Sequence, residues 1–311
     1  MALLQGKMKE GSQYMEISYR DGSDFSQLKI DCQRNPRHSK FIPVSKFSIE
    51  HLPNSLKDQE IVDFIRLFAS LTVRVLVTKI SNDRPKVFPL SDKPYPLYEM
   101  KGTNCVRAGS GWVRRIAIFI NNGDEPCPCA ECIRSGKPVM VWGRIEVPTA
   151  NHLVFDSEEA KCTQVDLCLV DEASAGTCEG GAAKDQKNVR LNGYTVWYNN
   201  CKEDKCWFYC ATHDVKLCEK LKEMTEKRDE LFQSLVKKYE NDKEAQLSII
   251  VSHPHGCGKE ISIGEWASRG VNMDAFWWAR ATYGPITCAG SAGAPVWSLG
   301  KKEVEAWRVG E

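Results

Sequence analysis

The chain has 311 residues, 42% hydrophobic and 27% charged, with 42 Lys+Arg against 41 Asp+Glu and a net charge of +1. This composition excludes collagen-like and low-complexity classes, and a near-neutral balance without basic blocks leaves no electrostatic footprint for nucleic acid. The longest apolar stretches, such as Leu71–Val77, carry an arginine and are far too short to span a bilayer.

Residues 1–56 are polar and irregular, with scattered Pro and Gly, and read as an N-terminal extension that wraps part of the body. The opening MALLQGKMKEGSQ has no apolar core of signal-peptide length, so a cytoplasmic chain without a membrane partner is expected. In that compartment the 14 cysteines read as reduced thiols or metal ligands before disulfides. Asp58–Leu71 places Ile61, Ile65, Leu67 and Phe68 near one helical face and predicts a short amphipathic helix.

Beyond it the rhythm changes. Val73–Thr78, Gly111–Ile120, Val139–Val147, Thr163–Val170, Leu191–Tyr198 and Cys206–Ala211 predict short strands between turn signals. Many short strands at this spacing predict a barrel or sandwich. Ala173–Lys187, rich in Gly, Ala and Ser, reads as a loop. Residues 215–245 break the β pattern: Leu217, Leu221, Met224, Leu231 and Leu235 recur at helical steps among many charges. At 1.5 Å per residue, roughly 27 residues of helix would be a rod about 40 Å long. It either packs on its own barrel or offers a docking face to a protein partner, and Arg228 interrupts its stripe. Strands resume at Leu247–Ser252.

Near the C-terminus stands Gly290-Ser291-Ala292-Gly293-Ala294-Pro295, a tight glycine-rich turn leading into an apolar strand. Upstream lie Thr149-Ala150-Asn151-His152 after a strand, the earlier Gly109-Ser110-Gly111-Trp112-Val113, and Thr212-His213-Asp214-Val215-Lys216-Leu217. Ile249–Gly256 and Ile261–Gly264 precede the glycine-rich turn. In this order the runs resemble those of trypsin-like (chymotrypsin-fold) serine endopeptidases of the intracellular type, over roughly residues 73–311. Glycines in such a loop let the backbone turn tightly and aim amides at a substrate carbonyl oxygen.

The resemblance implies a mainly β fold of two antiparallel six-stranded-type barrels with an N-terminal extension and one long inserted helix. Expected units are 1–72 for the extension, 73–214 for the barrel carrying His and Asp, 215–246 for the helical insertion, and 247–311 for the barrel carrying the nucleophile loop. It implies His152 as general base, Asp214 as the acid that orients it, and residue 292 as the nucleophile position, with Asp166 in reserve for the acid. The oxyanion hole falls to the amides of Gly290 and Ala292, and the base of the substrate pocket to Ile286 and Thr287. A peptide or protein is the implied substrate, and no cofactor is required for the chemistry.

The family pattern fails at one place. Residue 292 is alanine, so the chain as given is expected to be catalytically dead. Two readings of Ala292 stand: an engineered Ser→Ala exchange in an active protease, or a natural pseudoprotease acting as a binding module. Ser291 as a substitute nucleophile is a third, lesser idea. Leu153 follows His152 where secreted relatives carry a disulfide cysteine, and Ser291 stands where they carry an activating Asp. Only 19 residues follow Ala292, about one strand short of a second barrel, so truncation or a strand borrowed from another segment is expected.

Cys127-Pro128-Cys129-Ala130-Glu131-Cys132 packs three thiols into six residues. Three thiolates so close suit a structural zinc, which takes four N/S ligands in a tetrahedron. Cys162, Cys201, Cys206, Cys210 or a histidine would supply the fourth. His213, His253 and His255 read as structural histidines, and Trp277-Trp278 as packing or a subsite wall.

Overall fold

The computed structural model describes residues 15–18, 25–120, 125–167, 189–267, 282–301 and 305–306. The loop read at 173–187 and the Trp277-Trp278 pair lie outside them.

The fold is mainly β, built on two antiparallel sheets. The first holds β1 (Glu16–Ser18), β3 (Thr72–Lys79), β4 (Asn104–Trp112), β5 (Arg115–Ile120), β6 (Val141–Ala150), β7 (Thr163–Leu167), β8 (Val189–Asn200) and β9 (Lys205–Thr212). Its order is β1-β4-β3-β7-β8-β9-β6-β5. The second holds β10 (Leu247–Ser252), β11 (Glu260–Ala267), β12 (Thr282–Tyr283), β13 (Pro295–Ser298) and β14 (Glu305–Ala306), with β2 (Ile42–Pro43) added beside β11. Both sheets are open, with eight and six strands, where two closed six-stranded barrels were expected. The strand borrowed from another segment is β2, from the N-terminal extension, which pairs Ile42 with Ile261. The same extension lends β1 to the first sheet, pairing Ile17 with Arg107.

Two strand boundaries differ from expectation for physical reasons. The run Gly111–Ile120 is not one strand, because the chain turns at Val113–Arg114 between β4 and β5. The buried Arg228 fills that turn, donating from Nη1 to the Val113 carbonyl at 2.9 Å and from Nη2 to the Arg114 carbonyl at 3.3 Å. Strand β6 runs on through Pro148 to Ala150, because its ladder with β9 continues to the pair Ala150–Lys205.

Helix α1 (Phe25–Ile30) is short. Helix α2 (Gln59–Leu71) starts at Asp58, whose carboxylate accepts from the Glu60 amide at 2.9 Å. Side-chain acceptors at this position satisfy amides the helix itself cannot. It buries Ile61, Phe64, Ile65 and Phe68; Leu67 is only half-buried, and Phe64 takes the place expected for it. Helices α3 (Ala130–Ser135) and α4 (Ser157–Lys161) are single turns. Helix α5 (Val215–Tyr239) lies along the molecule and serves two cores. Leu217 and Leu221 join the core of the first sheet, with Val75, Val147, Leu153 and Phe208. Leu231, Phe232 and Leu235 join the core of the second, with Phe64, Ile249 and Trp297. Its apolar stripe is therefore spent on the chain itself. Among the described residues, no helix is long and apolar enough to cross a membrane.

Candidate active site

The turn after β6 carries His152. Asn151–Val154 fold back so that the amides of Leu153 and Val154 donate to the Ala150 carbonyl at 3.1 and 3.2 Å. Facing it is the tight turn joining β8 to β9. Asp204 stands at its end with φ +49°, a left-handed conformation that aspartate tolerates better than most residues. The two turns lock together. The His152 amide donates to Asp204 Oδ1 at 2.9 Å, His152 Nδ1 pairs with Asp204 Oδ2 at 2.7 Å, and the Asn151 amide donates to the Asp204 carbonyl at 3.1 Å. An imidazole bound through Nδ1 to a buried carboxylate presents Nε2 as a proton acceptor. His152 Nε2 is buried and takes no hydrogen bond.

The carboxylate expected beside His152 was Asp214, and the structure uses it elsewhere. Asp214 is exposed at the start of α5, where its side chain accepts from the Leu217 amide at 2.9 Å. Its resemblance to a triad acid came from an apolar run that is the first turn of a helix. The reserve choice, Asp166, is held in β7 between Arg74 at 2.5 Å and Arg190 at 2.7 Å. Burial pushes its carboxyl up, but Arg190 and Arg74 outweigh this and hold it below the ordinary range.

Beneath the His152 turn lies a buried ion cluster that sequence reading missed. Glu159 accepts from Arg84 at 2.7 and 2.8 Å and from Arg107 at 2.5 Å. The amides of Ser81 and Phe155 also donate to it, at 2.9 and 2.8 Å. The two arginines then grip the turn itself. Arg84 donates to the His152 carbonyl and Arg107 to the Leu153 carbonyl, each at 3.0 Å. Burial drives the Glu159 carboxyl up, yet Arg107 and Arg84 bring it below its usual value. The signal for Glu159 was present as Asp156-x-x-Glu159, the signature of a helix start. Asp156 does cap α4, accepting from the Glu159 amide at 2.9 Å.

The loop Gly290–Pro295 lies against this corner. Gly290 and Gly293 take φ of +87° and +79°. Gly293 could not be otherwise: a Cβ there would come within 2.2 Å of Thr149 Oγ1 and 2.3 Å of the Ser110 carbonyl. Ser110 of β4 ties the loop down. Its amide donates to the Ala292 carbonyl at 2.8 Å and its hydroxyl to the Gly290 carbonyl at 2.9 Å, while its carbonyl accepts from Thr149 at 2.7 Å. Thus the runs read separately as Gly109–Val113, Thr149–His152 and Gly290–Pro295 meet at one place. Among the described residues, no backbone carbonyl takes the amides of Gly290 and Ala292.

Ala292 is fully buried and belongs to the core that contains Leu153. Ser291 is also buried, and its hydroxyl donates to Ser252 Oγ at 3.1 Å. His152 is 2% exposed, so the corner is closed to solvent. Ile286 and Thr287, expected at the base of a substrate pocket, are covered by the N-terminal segment. Ile286, half-buried, packs against the cluster of Cys32, Phe41 and Cys288, and the Thr287 carbonyl accepts from Asn35 at 2.9 Å.

The three clustered thiols come together with His213. Its Nε2 lies 3.2 Å from Cys127 Sγ, 3.4 Å from Cys132 Sγ and 3.7 Å from Cys129 Sγ. A tetrahedral zinc with Zn–S near 2.3 Å and Zn–N near 2.0 Å sets its ligands about 3.5–3.8 Å apart. The donor set and its spacing fit a metal ion. The fourth member is the histidine beside Asp214; Cys162, Cys201, Cys206 and Cys210 take no part. Cys206 and Cys210 are instead core residues whose thiols burial pushes far up.

No family model matches the chain, and no curated protein matches it either. Among solved structures it is similar to the serine-to-alanine form of the HtrA-type protease AlgW with a decapeptide. The identity is 10% and the TM-score 0.32, covering 74% of this chain and 56% of that one. The chain thus spans little more than half the length of that neighbour.

Proposed function

We propose that this chain carries the catalytic corner of a serine endopeptidase, with the nucleophile position filled by alanine. The observation that carries the reading is the His152–Asp204 pair at 2.7 Å, with Nε2 buried and unbonded, on a turn that leaves β6 at Thr149–Ala150, where Gly293 packs. With a serine at 292, Asp204 would hold the imidazole tautomer and stabilise its charge. His152 would take the hydroxyl proton and return it to the leaving amine. The amides of Gly290 and residue 292 would bind the oxyanion. Alanine supplies no hydroxyl, and losing the nucleophile from such a set costs on the order of 10⁶ in turnover. Cys127, Cys129, Cys132 and His213 would hold a structural zinc that pins the 127–132 turn to the end of β9 and leaves no open position for chemistry.

The test is a peptide-library cleavage assay on Ala292→Ser, with the double variant Ala292→Ser/His152→Ala beside it. Cleavage by the first and none by the second is expected. A folded but inert Ala292→Ser chain overturns the reading.

A second reading rests on the burial of His152 and Ala292 and on the covering of Ile286 and Thr287. There the chain is a pseudoprotease that grips a peptide or protein without cutting it. An inert Ala292→Ser chain that still binds library peptides is the outcome it predicts.

A further inference from the structure

A second group of thiols and imidazoles lies on the other side of the loop, and sequence reading did not assemble it. Cys32 and His38 come from the N-terminal segment. His255 comes from the turn after β10, and Cys288 stands four residues before Ala292. One ligand atom from each lies within 4.8 Å of those of the other three. All four residues are buried. Cys32 Sγ and Cys288 Sγ are 3.6 Å apart, and His38 Nε2 is 3.7 Å from Cys288 Sγ. A disulfide would hold the sulfurs at about 2.05 Å, whereas the edge of a zinc tetrahedron is about 3.5–3.8 Å.

The surroundings are those of a metal site. His255 Nδ1 bonds to Glu16 at 2.5 Å, which leaves Nε2 for a ligand, and that Nε2 is buried with no hydrogen-bond partner. His38 Nδ1 lies 3.5 Å from Glu260, so its Nε2 also points inward. A carboxylate on the outer nitrogen fixes the tautomer and ring plane of a metal-bound histidine. The sulfurs receive amide donors: the Asn35 backbone amide on Cys32 at 3.3 Å and the Asn35 side-chain amide on Cys288 at 2.9 Å. Such bonds suit thiolates. A divalent ion with two thiolates and two neutral imidazoles carries no net charge, which lets the whole group be buried without an unpaired charge.

We infer that Cys32, His38, His255 and Cys288 form a Cys2His2 site for a divalent zinc-like ion, which clamps the N-terminal segment onto the loop bearing residue 292. On binding, the ion replaces the two thiol protons, which leave to solvent; nothing is oxidised or reduced. The clamp reaches the loop directly. The His255 amide donates to the Ala289 carbonyl at 2.6 Å, and a Cβ on Gly290 would lie 2.7 Å from the His255 nitrogen. All four ligands are protein atoms, so the site is structural rather than catalytic.

The test uses the full chain with Ala292 in place, so its outcome does not depend on whether the protease reading holds. The Cys129→Ser/Cys132→Ser variant removes two of the three thiols of the other group, leaving Cys127 and His213, too few to hold an ion tightly. Its metal content and its Co²⁺ spectrum are measured after chelator treatment and reloading with Zn²⁺ or Co²⁺. One tightly held ion per chain is expected, with a tetrahedral Co²⁺ spectrum of two thiolates. Adding Cys32→Ser and Cys288→Ser should abolish it. If either variant fails to fold, X-ray absorption on the unmutated zinc-loaded chain decides. Either two ions sharing five sulfurs and three nitrogens, or one ion with two of each, supports the site. A single ion with three sulfurs and one nitrogen overturns it. So does a folded Cys129→Ser/Cys132→Ser chain that holds no metal, or a Cys32–Cys288 disulfide found by mass spectrometry.

Discussion

The two sides of the candidate site are held in different ways. The His152–Asp204 side is built within one sheet: β6 and β9 are paired residue by residue from Gly143–Thr212 to Ala150–Lys205, and the two turns beyond that ladder face each other as a consequence. The loop at 290–295 sits at the end of a shorter ladder, three pairs of β10 with β13 from Ser248–Ser298 to Ile250–Val296. It is fixed from outside by Ser110 of the first sheet, by the turn at 253–256 and by the segment around Cys32 and Asn35. Chain separation makes the same point: 52 residues part His152 from Asp204, while 256 part Cys32 from Cys288. The imidazole side should therefore be stiff on its own, and the loop side should depend on what docks against it.

The largest test of this contrast uses an Ala292→Ser background. Asp204→Asn there should lower kcat by about 10⁴, the cost of losing the acid that fixes the tautomer. Kinetics on the two proteins check it. An Asp204→Asn chain that matches its parent would mean that the 2.7 Å contact only braces the turn.

The ion cluster under His152 gives the next effect. Glu159→Gln removes a charge that serves two buried arginines and two amides, and breaking such a buried set costs about 3–5 kcal/mol. Urea unfolding should show that loss. The pH dependence follows from the direction of the shift. The Glu159 carboxyl is lowered by Arg107 and Arg84 against the upward push of burial. Its contribution is therefore complete above the ordinary carboxylate range, about 4.3, and is lost as pH falls through its folded value. Acid unfolding below about pH 4 should be shallower in Glu159→Gln, because that titration is gone.

The loop side yields a smaller effect on stability. Gly293→Ala forces a side chain into a left-handed backbone position and against Thr149 and Ser110. Strain of this kind costs about 1–3 kcal/mol. Thermal melts should show the loss. In the Ala292→Ser background the cleavage rate should fall more than the stability does, since the amides of residues 290 and 292 move with the backbone.

What the sequence showed and what it hid follow the same division. Strands were legible because alternation and turn residues are local signals. So were His152 and Gly293, each standing in a short run whose backbone needs are particular. Asp204 was not, because a single aspartate in the polar turn Cys201–Lys205 carries no periodic or spacing signal. Its partner is set by the register of β6 on β9, which only the fold supplies. The thiol group at 127–132 was visible as a spacing, and the fourth member of the group, His213, was open to view only as one of several histidines. The group of Cys32, His38, His255 and Cys288 offered no spacing to read, since its two halves meet only when β2 joins the second sheet.

Asp214 gives the smallest effect and the sharpest separation between a motif and a site. In sequence it stands before an apolar run, as a triad acid does; in the structure it accepts from the Leu217 amide and starts α5. Replacing a capping aspartate by alanine costs about 1 kcal/mol. Asp214→Ala should therefore lower the melting temperature by a few degrees, roughly 2–4 °C for a chain of this size or less. Helix α5 contributes to both cores, so the loss should appear as a shift of the whole transition rather than as fraying of one end. In the Ala292→Ser background the same change should leave kcat within about twofold, against the 10⁴ expected for Asp204→Asn. A large fall in kcat on Asp214→Ala, with Asp204→Asn silent, would reverse the assignment of the two carboxylates. It would also require the β8–β9 turn to leave His152, breaking the hydrogen bond from the Asn151 amide to the Asp204 carbonyl that closes the corner.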